Sequence, residues 1–242
     1  MSKCKILCVI PARLESSRLP RKMLADLQGK PLLQRTYESA KAVPLFDDVV
    51  VAVDCRELYD KVIAFGGRPL LTSATCASGT ERLIELHGSK TLQADIWVNW
   101  QGDEPFINKE AIGELLQSCD NPEEEIWTLK RLIEKPEEIA SPDVVKVVCD
   151  QKGNALYFSR SPIPHLLREA KVYKHVGLYG YSSSALEKIG SLTPTEIEKA
   201  ESLEQLRFLY HGLSIRVHET SQNVLGVDTE EELLLAKGLY FS

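Results

Sequence analysis

The sequence predicts an α/β protein with a mostly parallel central sheet and a smaller antiparallel subdomain, on three observations. Short apolar runs alternate with amphipathic stretches from the N-terminus onward, the pattern of repeated strand-helix units. From Trp127 the extended runs crowd together, and the turn-forming stretch at residues 150–154 (Asp-Gln-Lys-Gly-Asn) reads as a hairpin loop. The chain has 242 residues and 43% hydrophobic content, enough apolar surface for a substantial core.

Taken in order, residues 6–10, 49–53 and 96–100 are the clearest buried strands, with residues 69–72 a weaker fourth. Between them Leu32, Leu33, Tyr37 and Ala40 follow helical spacing, as do Leu58, Val62 and Ile63, then Leu83, Ile84 and Leu86. Punctuation agrees: Pro31 suits a first helical turn, Gly66 and Gly67 follow a last one, and Ser78 or Thr80 suits an N-cap. Later strands are expected at residues 127–132, 144–149, 155–159 and 175–181. Residues 200–210 read as one helix, 214–218 as extended, and 229–240 as a terminal helix capped by Thr229. No Gly/Ser/Pro linker, internal repeat or low-complexity tract intervenes, so a single domain over residues 1–242 is expected, with an antiparallel insertion at roughly 127–181.

Composition narrows the function. There are 29 Lys plus Arg against 35 Asp plus Glu, a net charge of −6, which argues mildly against a general nucleic-acid binder. No apolar run approaches the length of a spanning helix. The apolar start at residues 6–10 meets Pro11 and Arg13 too soon for a signal peptide, so the expected compartment is the cytoplasm. The six cysteines (Cys4, Cys8, Cys55, Cys76, Cys119 and Cys149) lack Cys-x-x-Cys or zinc-type spacing and are expected to be buried, reduced thiols. Cys4 and Cys8, roughly 13 Å apart along a strand at about 3.3 Å per residue, are too far apart to share a metal.

Chemistry concentrates in three segments. Residues 11–22, directly after the first strand, carry Arg13, Arg18, Arg21 and Lys22 with the small hydroxyls Ser16 and Ser17. In an open α/β sheet, ligands bind at the carboxyl ends of strands, and clustered guanidinium forks suit a triphosphate. A solvated basic loop is the plainer alternative. The segment is neither a Walker A loop nor a dinucleotide fingerprint. In the second segment, Val98-Asn99-Trp100-Gln101-Gly102-Asp103-Glu104-Pro105, at the end of a buried strand, Asp103 lies beside a glycine bend and could hold Mg²⁺, which binds through one or two carboxylates plus substrate phosphates. Asp54, by contrast, is expected to cap the helix that begins at Arg56. In the third, Gly226-Val227-Asp228-Thr229, Asp228 could be a second metal ligand or could share helix capping with Thr229.

These segments, with Ser78-Gly79-Thr80-Glu81-Arg82-Leu83, residues 145–148 and 155–160, residues 175–181, residues 202–207 and Gly226 to Thr229, all in order, resemble the 3-deoxy-manno-octulosonate cytidylyltransferases, the CMP-Kdo synthetases of lipopolysaccharide synthesis. The resemblance implies a Rossmann-like nucleotidyltransferase α/β sandwich and CMP transfer from CTP to 3-deoxy-manno-octulosonate (Kdo), releasing pyrophosphate. It also implies a homodimer with Mg²⁺ as cofactor. By the same resemblance Arg13, Arg18 and Lys22 are catalytic. Pro11, Ala12, Ser17, Ser78, Gly79 and Arg82 join them around the nucleotide, and Asp103 and Asp228 hold the metal. Gln101, Arg160, His175, Tyr179, Glu204 and Gln205 would bind the sugar, with Arg160 the natural partner of its carboxylate. Gly79 would let the backbone approach a pyrimidine. Without the resemblance, His175 and Tyr179 read as half-buried residues on one strand face, and Glu204 with Arg207 as a helical surface pair. A cytidylyltransferase for another acidic sugar, such as an amino-Kdo or sialic acid, is the nearer rival. A silent nucleotide-sensing module is the more distant one, disfavoured because Asp103, Asp228, Arg13 and Lys22 are all present.

Overall fold

A computed structural model describes residues 4–16 and 18–239. They form two compact units: one takes in the chain up to Ile112 and returns from Asn223 onward, and the other spans Gly113–Gln222.

The first unit is built on four parallel strands, β1 (Ile6–Ala12), β2 (Asp48–Val53), β3 (Pro69–Leu71) and β4 (Ile96–Asn99), in the order β3-β2-β1-β4. All seven residues of β1 are buried, as expected of a strand covered on both faces, which is why it reads as an unbroken apolar run. Val9 pairs with Val50 on one side and Asn99 on the other. The strand runs two residues beyond the apolar stretch: Pro11 aligns with Ala52 and Ala12 with Val53, so the cationic segment starts directly at the sheet's carboxyl edge.

In chain order the helices begin α1 (Leu32–Lys41), α2 (Arg56–Ala64), α3 (Gly79–Gly88), α4 (Lys109–Leu115), α5 (Pro136–Ala140) and α6 (Ser183–Gly190), and the terminal α9 (Glu230–Leu239) belongs with α1, α2 and α3 to the first unit. Leu32, Leu33, Thr36, Tyr37 and Ala40 form the buried face of α1. Pro31 is its N-cap rather than its first helical residue. Ser78 caps α3 as expected, its hydroxyl accepting from the Glu81 N–H at 3.1 Å. Cys55, not Asp54, occupies the cap position of α2. Asp54 instead accepts from the Leu14 N–H at 3.2 Å, holding the chain where it leaves β1. Thr229 and Glu232 cap α9 reciprocally, the Thr229 hydroxyl accepting from Glu232 N–H and the Glu232 carboxylate from Thr229 N–H.

The second unit contains β5 (Ile126–Leu132), β6 (Lys146–Cys149), β7 (Ala155–Ser159), β8 (Tyr173–Ser182) and β9 (Arg216–Glu219). β8 runs antiparallel to β5 and β6, β6 and β7 form the hairpin, and β9 adds parallel to β5. β6 starts at Lys146 rather than at 144, because the carbonyls of Ser141 and Val144 turn to accept from the Lys146 ammonium. The expected helix at 200–210 is two helices, α7 (Glu196–Glu201) and α8 (Gln205–Tyr210), broken where Ser202 adopts φ 50°. A left-handed residue ends a helix even without glycine. The break lets Arg207 reach Glu198 of α7, with Nε 2.8 Å from Oε2.

None of the six cysteines is in a disulfide, and only Cys8 is buried, Cys4 being exposed and the others half-buried, which corrects the expectation of uniformly buried thiols. No helix among the described residues is long and apolar enough to cross a membrane.

β9 is held by a polar cluster. Glu124 accepts from Arg216, Asn121, Ser118 and Trp127, and Ser118 also contacts His218. Burial pushes the Glu124 carboxyl up, but the Arg216 and Ser118 hydrogen bonds outweigh it and hold it at about 2. A depressed carboxyl stabilises the fold above its unfolded value near 4.5 and loses that contribution as pH falls toward 2. Urea unfolding between pH 6 and 2.5 should show wild type losing about 2–3 kcal/mol more than Glu124→Gln. Parallel pH curves would show that the cluster contributes nothing.

Candidate active site

A cavity of about 360 Å³ opens at the carboxyl edge of the parallel sheet, within the first unit. Pro11, Ala12, Arg13, Arg18, Lys22, Ser78, Gly79, Arg82, Gln101, Asp103 and Asp228 all line it. Ser17 lies outside the described residues. Arg160, His175, Tyr179, Glu204 and Gln205 belong to the second unit.

The floor is the turn at residues 101–105. The Thr36 hydroxyl of α1 donates to the Gly102 carbonyl at 2.8 Å, and Ser39 donates to that of Pro105 at 2.7 Å. The Trp100 indole donates to the Glu104 carbonyl at 2.9 Å. A side chain at Gly102 would put its Cβ 2.9 Å from the Pro11 carbonyl oxygen and 2.8 Å from Met23 Sδ, so the turn can close on β1 only with glycine. Gly79 has a similar reason: its Cβ would meet Pro11 Cγ at 2.9 Å and Asn99 Oδ1 at 3.1 Å. Its lack of a side chain lets α3 pack on the ends of β1 and β4.

The Val227 N–H donates to the Asp103 carbonyl at 2.9 Å, which brings the segment before α9 beside the turn. Since Thr229 and Glu232 cap α9, the Asp228 carboxylate is free to face the cavity. Lys22, nearly buried in a 3-10 turn (Lys22–Leu24), sets its ammonium against both carboxylates, in contact with Asp103 and 2.6 Å from Asp228 Oδ1. Arg18 Nη2 reaches Asp228 Oδ2 at 2.8 Å. Burial pulls the Lys22 pKa down, but Asp103 and Asp228 outweigh it and raise it above its usual value, so the side chain stays a cation. Negative charge is crowded here: burial first, with Asp103 and Asp228 adding, pushes the buried Glu104 carboxyl up to about 8 against the pull of Lys22.

These groups fit a divalent cation. The Asp103 and Asp228 side chains are 20% and 36% exposed on the cavity wall and already converge on one positive charge. Two carboxylates plus ligand phosphates are the donor set Mg²⁺ prefers. Among the described residues, no group of three or more His, Cys, Asp or Glu side chains could hold a metal by itself.

Arg82 is buried, with Nη1 donating to Thr72 Oγ1 at 2.6 Å and to the Ser73 carbonyl at 3.1 Å, while Asp54 Oδ2 stands 3.9 Å from its Nη2. The fourth cation of the loop is turned away: Arg21, at φ 54°, pairs with Glu57 of α2. Asn99, to which the sequence assigned no role of its own, is a buried polar residue ending an apolar strand, and its Oδ1 accepts from Gln101 Nε2 at 3.1 Å.

In the second unit, Arg160 is tightly braced. Its Nε donates to the Glu201 carbonyl at 2.7 Å and its Nη1 to that of Pro142 at 2.9 Å, while its own N–H is held by the Glu201 carboxylate at 2.9 Å. The buried ammonium of Lys146 donates to the Arg160 carbonyl at 2.5 Å. The lysine inside the apolar run Val145-Lys146-Val147-Val148 was the available sequence signal for this brace. His175 and Tyr179 form an aromatic group, their ring centroids 5.4 Å apart. Burial, the Tyr181 phenol and the Glu204 carboxylate raise the Tyr179 phenol well above its usual pKa, with Thr128 opposing them.

The family described as Cytidylyltransferase matches residues 7–215. A protein of Thermodesulfovibrio yellowstonii named 3-deoxy-manno-octulosonate cytidylyltransferase is 41% identical, the match covering 96% of both chains. One of the same name from Geobacter metallireducens is 45% identical, covering 95% of both. Among solved structures, CMP:2-keto-3-deoxy-manno-octonic acid synthetase complexed with CTP matches with a TM-score of 0.92 at 42% identity, over 98% of each chain. The fold alone is shared with 4-diphosphocytidyl-2C-methyl-D-erythritolsynthase of Anaerococcus prevotii, at 12% identity and a TM-score of 0.65. A parallel sheet with a cation-lined cavity at its carboxyl edge, in this company, defines a nucleotidyltransferase. Within that class, the chain belongs to the 3-deoxy-manno-octulosonate cytidylyltransferase family.

The different fates of Arg18 and Arg21 give a direct test. In calorimetric titration with pyrophosphate, Arg18→Ala should weaken binding about tenfold, the loss of one charge-assisted contact. Arg21→Ala should stay within about twofold of wild type. Equal effects would mean that Arg21 also faces the anion.

Proposed function

We propose that the protein transfers CMP from CTP to the anomeric hydroxyl of Kdo, giving CMP-Kdo and pyrophosphate for lipopolysaccharide synthesis, as a Mg²⁺-dependent cytoplasmic homodimer with no nucleic-acid or membrane partner. The observation that carries this reading is the cavity in which Lys22 and Arg18 meet Asp103 and Asp228 at the carboxyl edge of the parallel sheet. Support comes also from the names of the relatives and from the CTP complex of the similar synthetase.

In this reaction the sugar hydroxyl gives up its proton to solvent and its oxygen bonds to the α-phosphorus. The bond from that phosphorus to the bridging oxygen breaks, and its electron pair leaves on pyrophosphate. The protein must align two anionic substrates and neutralise charge accumulating on the leaving group. Arg13, Arg18 and Lys22 supply that positive charge from a loop anchored by Asp54, so little reorganisation is needed as charge develops. Asp103 and Asp228 would hold Mg²⁺, which would act as a Lewis acid lowering the negative charge that faces the nucleophile. Ser78, Gly79 and Arg82 border the part of the cavity assigned to the nucleoside, and Gln101 offers its amide to the acceptor. Arg160, with Nε and Nη1 committed to carbonyls, presents a fixed guanidinium to the sugar carboxylate. His175, Tyr179, Glu204 and Gln205 supply polar groups for the sugar hydroxyls.

Purified protein given CTP, Mg²⁺ and Kdo should release pyrophosphate, and release no faster than in a Kdo-free control would overturn the proposal. Replacing Kdo by sialic acid or an amino-Kdo, and CTP by UTP or ATP, should lower kcat/KM. Asp103→Asn should cut kcat about a hundredfold or more with an unchanged circular dichroism spectrum. An unaltered rate would remove that carboxylate from the metal site.

A further inference from the structure

His175 and Tyr179 are four residues apart on β8, a spacing of roughly 13 Å along a regular strand. Their ring centroids nevertheless lie 5.4 Å apart. β8 is irregular between them: Thr128 of β5 aligns with Tyr179, but the next residue, Leu129, aligns with Val176, so Gly177 and Leu178 have no opposite number. Bulges of this kind re-aim side chains and recur beside functional sites.

The bulge is organised around one hydroxyl. Thr128 is fully buried, and its Oγ1 lies 3.1 Å from the Val176 carbonyl oxygen, 2.9 Å from that of Leu178 and 3.0 Å from His175 Nε2. A hydroxyl has one hydrogen and two lone pairs, whereas a carbonyl oxygen can only accept. The Thr128 hydrogen can serve one of these carbonyls, Leu178 being the nearer at 2.9 Å, and toward His175 the same oxygen then can only accept. The proton must sit on Nε2. A neutral imidazole protonated at Nε2 has its lone pair on Nδ1.

We propose that Thr128 is a positioning residue that locks His175 in the Nε2–H tautomer, so that the Nδ1 lone pair accepts a hydrogen bond from a hydroxyl of the sugar acceptor. The surroundings keep the ring neutral, as this requires. Phe158 stands edge-on at 4.9 Å, no carboxylate among the described residues pairs with the imidazole, and burial pulls its pKa down to about 3. An acceptor of this type selects a donor: a hydroxyl is welcomed there, and a carbonyl or carboxylate oxygen meets a facing lone pair. The step to a sugar rests on the reading of the acceptor proposed above, while the tautomer is a property of the free protein.

The test is two-bond ¹H–¹⁵N correlation spectroscopy on the uniformly ¹⁵N-labelled full chain, with the His175 signals assigned through His175→Gln, together with steady-state kinetics. In wild type the His175 pattern should be that of the Nε2–H tautomer. Thr128→Val should shift it toward Nδ1–H or a mixture and raise KM for Kdo about tenfold, with KM for CTP within about twofold. Thr128→Ser, which keeps the hydroxyl, should restore both. A purely structural role for Thr128 would move stability but neither the tautomer nor the split between the two KM values. A wild-type Nδ1–H pattern, or an unchanged KM for Kdo in Thr128→Val, would overturn the proposal. If Thr128→Val does not fold, the wild-type and Thr128→Ser spectra still decide the tautomer. Failure of the wild type to turn over Kdo would overturn the assigned reaction instead, with the tautomer still readable on the free enzyme.

Discussion

The ammonium of Lys22, held between the carboxylates of Asp103 and Asp228, is the interaction on which the candidate active site depends. The three side chains come from a loop after β1, a turn after β4 and the segment before α9. None of these segments has a regular hydrogen-bonded ladder at that point. Two carboxylates at such a distance repel, and the buried Glu104 beside them adds to the crowding, so a fixed cation is the condition for keeping them together. The arrangement is also what a substrate-borne cation or phosphate can exploit.

The surrounding architecture serves that knot. Thr36 and Ser39 of α1 pin the carbonyls of the 101–105 turn, Asp54 pins the start of the cationic loop, and Val227 ties the last segment to Asp103. The glycines at 79 and 102 are required because Pro11 fills the space their side chains would occupy. In the second unit a comparable economy appears around Thr128, where a single hydroxyl donates to a bulge carbonyl and contacts an imidazole. Lys146 and Glu201 brace Arg160 in the same unit.

Much of this was legible in the residues themselves, for identifiable reasons. Strands covered on both faces must be apolar throughout, so β1, β2 and β4 stand out as uninterrupted runs. Asp103 stood out as a candidate because it lies beside a glycine bend after an apolar strand, whereas Asp228 was open between metal binding and capping until paired with Asp103, and Thr229 was readable as a cap because it precedes an amphipathic stretch. Partner choice was not readable. Nothing local to Arg21 distinguishes it from Arg18, and the difference is made by Glu57 on a separate helix. The break at Ser202 carried no glycine to mark it, and the Arg207 to Glu198 contact that forms across it joins residues on two separate helices. Asp54 had the residue type and position of a helix cap, but the Leu14 N–H offered the carboxylate a partner from another segment. Thr36, Thr128 and Lys146 are buried polar residues inside apolar patterns. Periodicity treats such positions as core, and only the tertiary structure shows which backbone groups they satisfy.

The measurement that bears most directly on the Lys22 bridge is a double-mutant cycle of unfolding free energy with Lys22→Met and Asp103→Asn, in urea with chelator present so that no divalent cation contributes. Both side chains are largely buried, at 9% and 20% exposure, so their coupling is only partly screened by solvent. If Lys22 is what holds the carboxylates together, the double mutant should lose about 1–3 kcal/mol less than the sum of the single losses. Additivity within about 0.3 kcal/mol would contradict it and would mean that the segments are held by their backbone bonds alone.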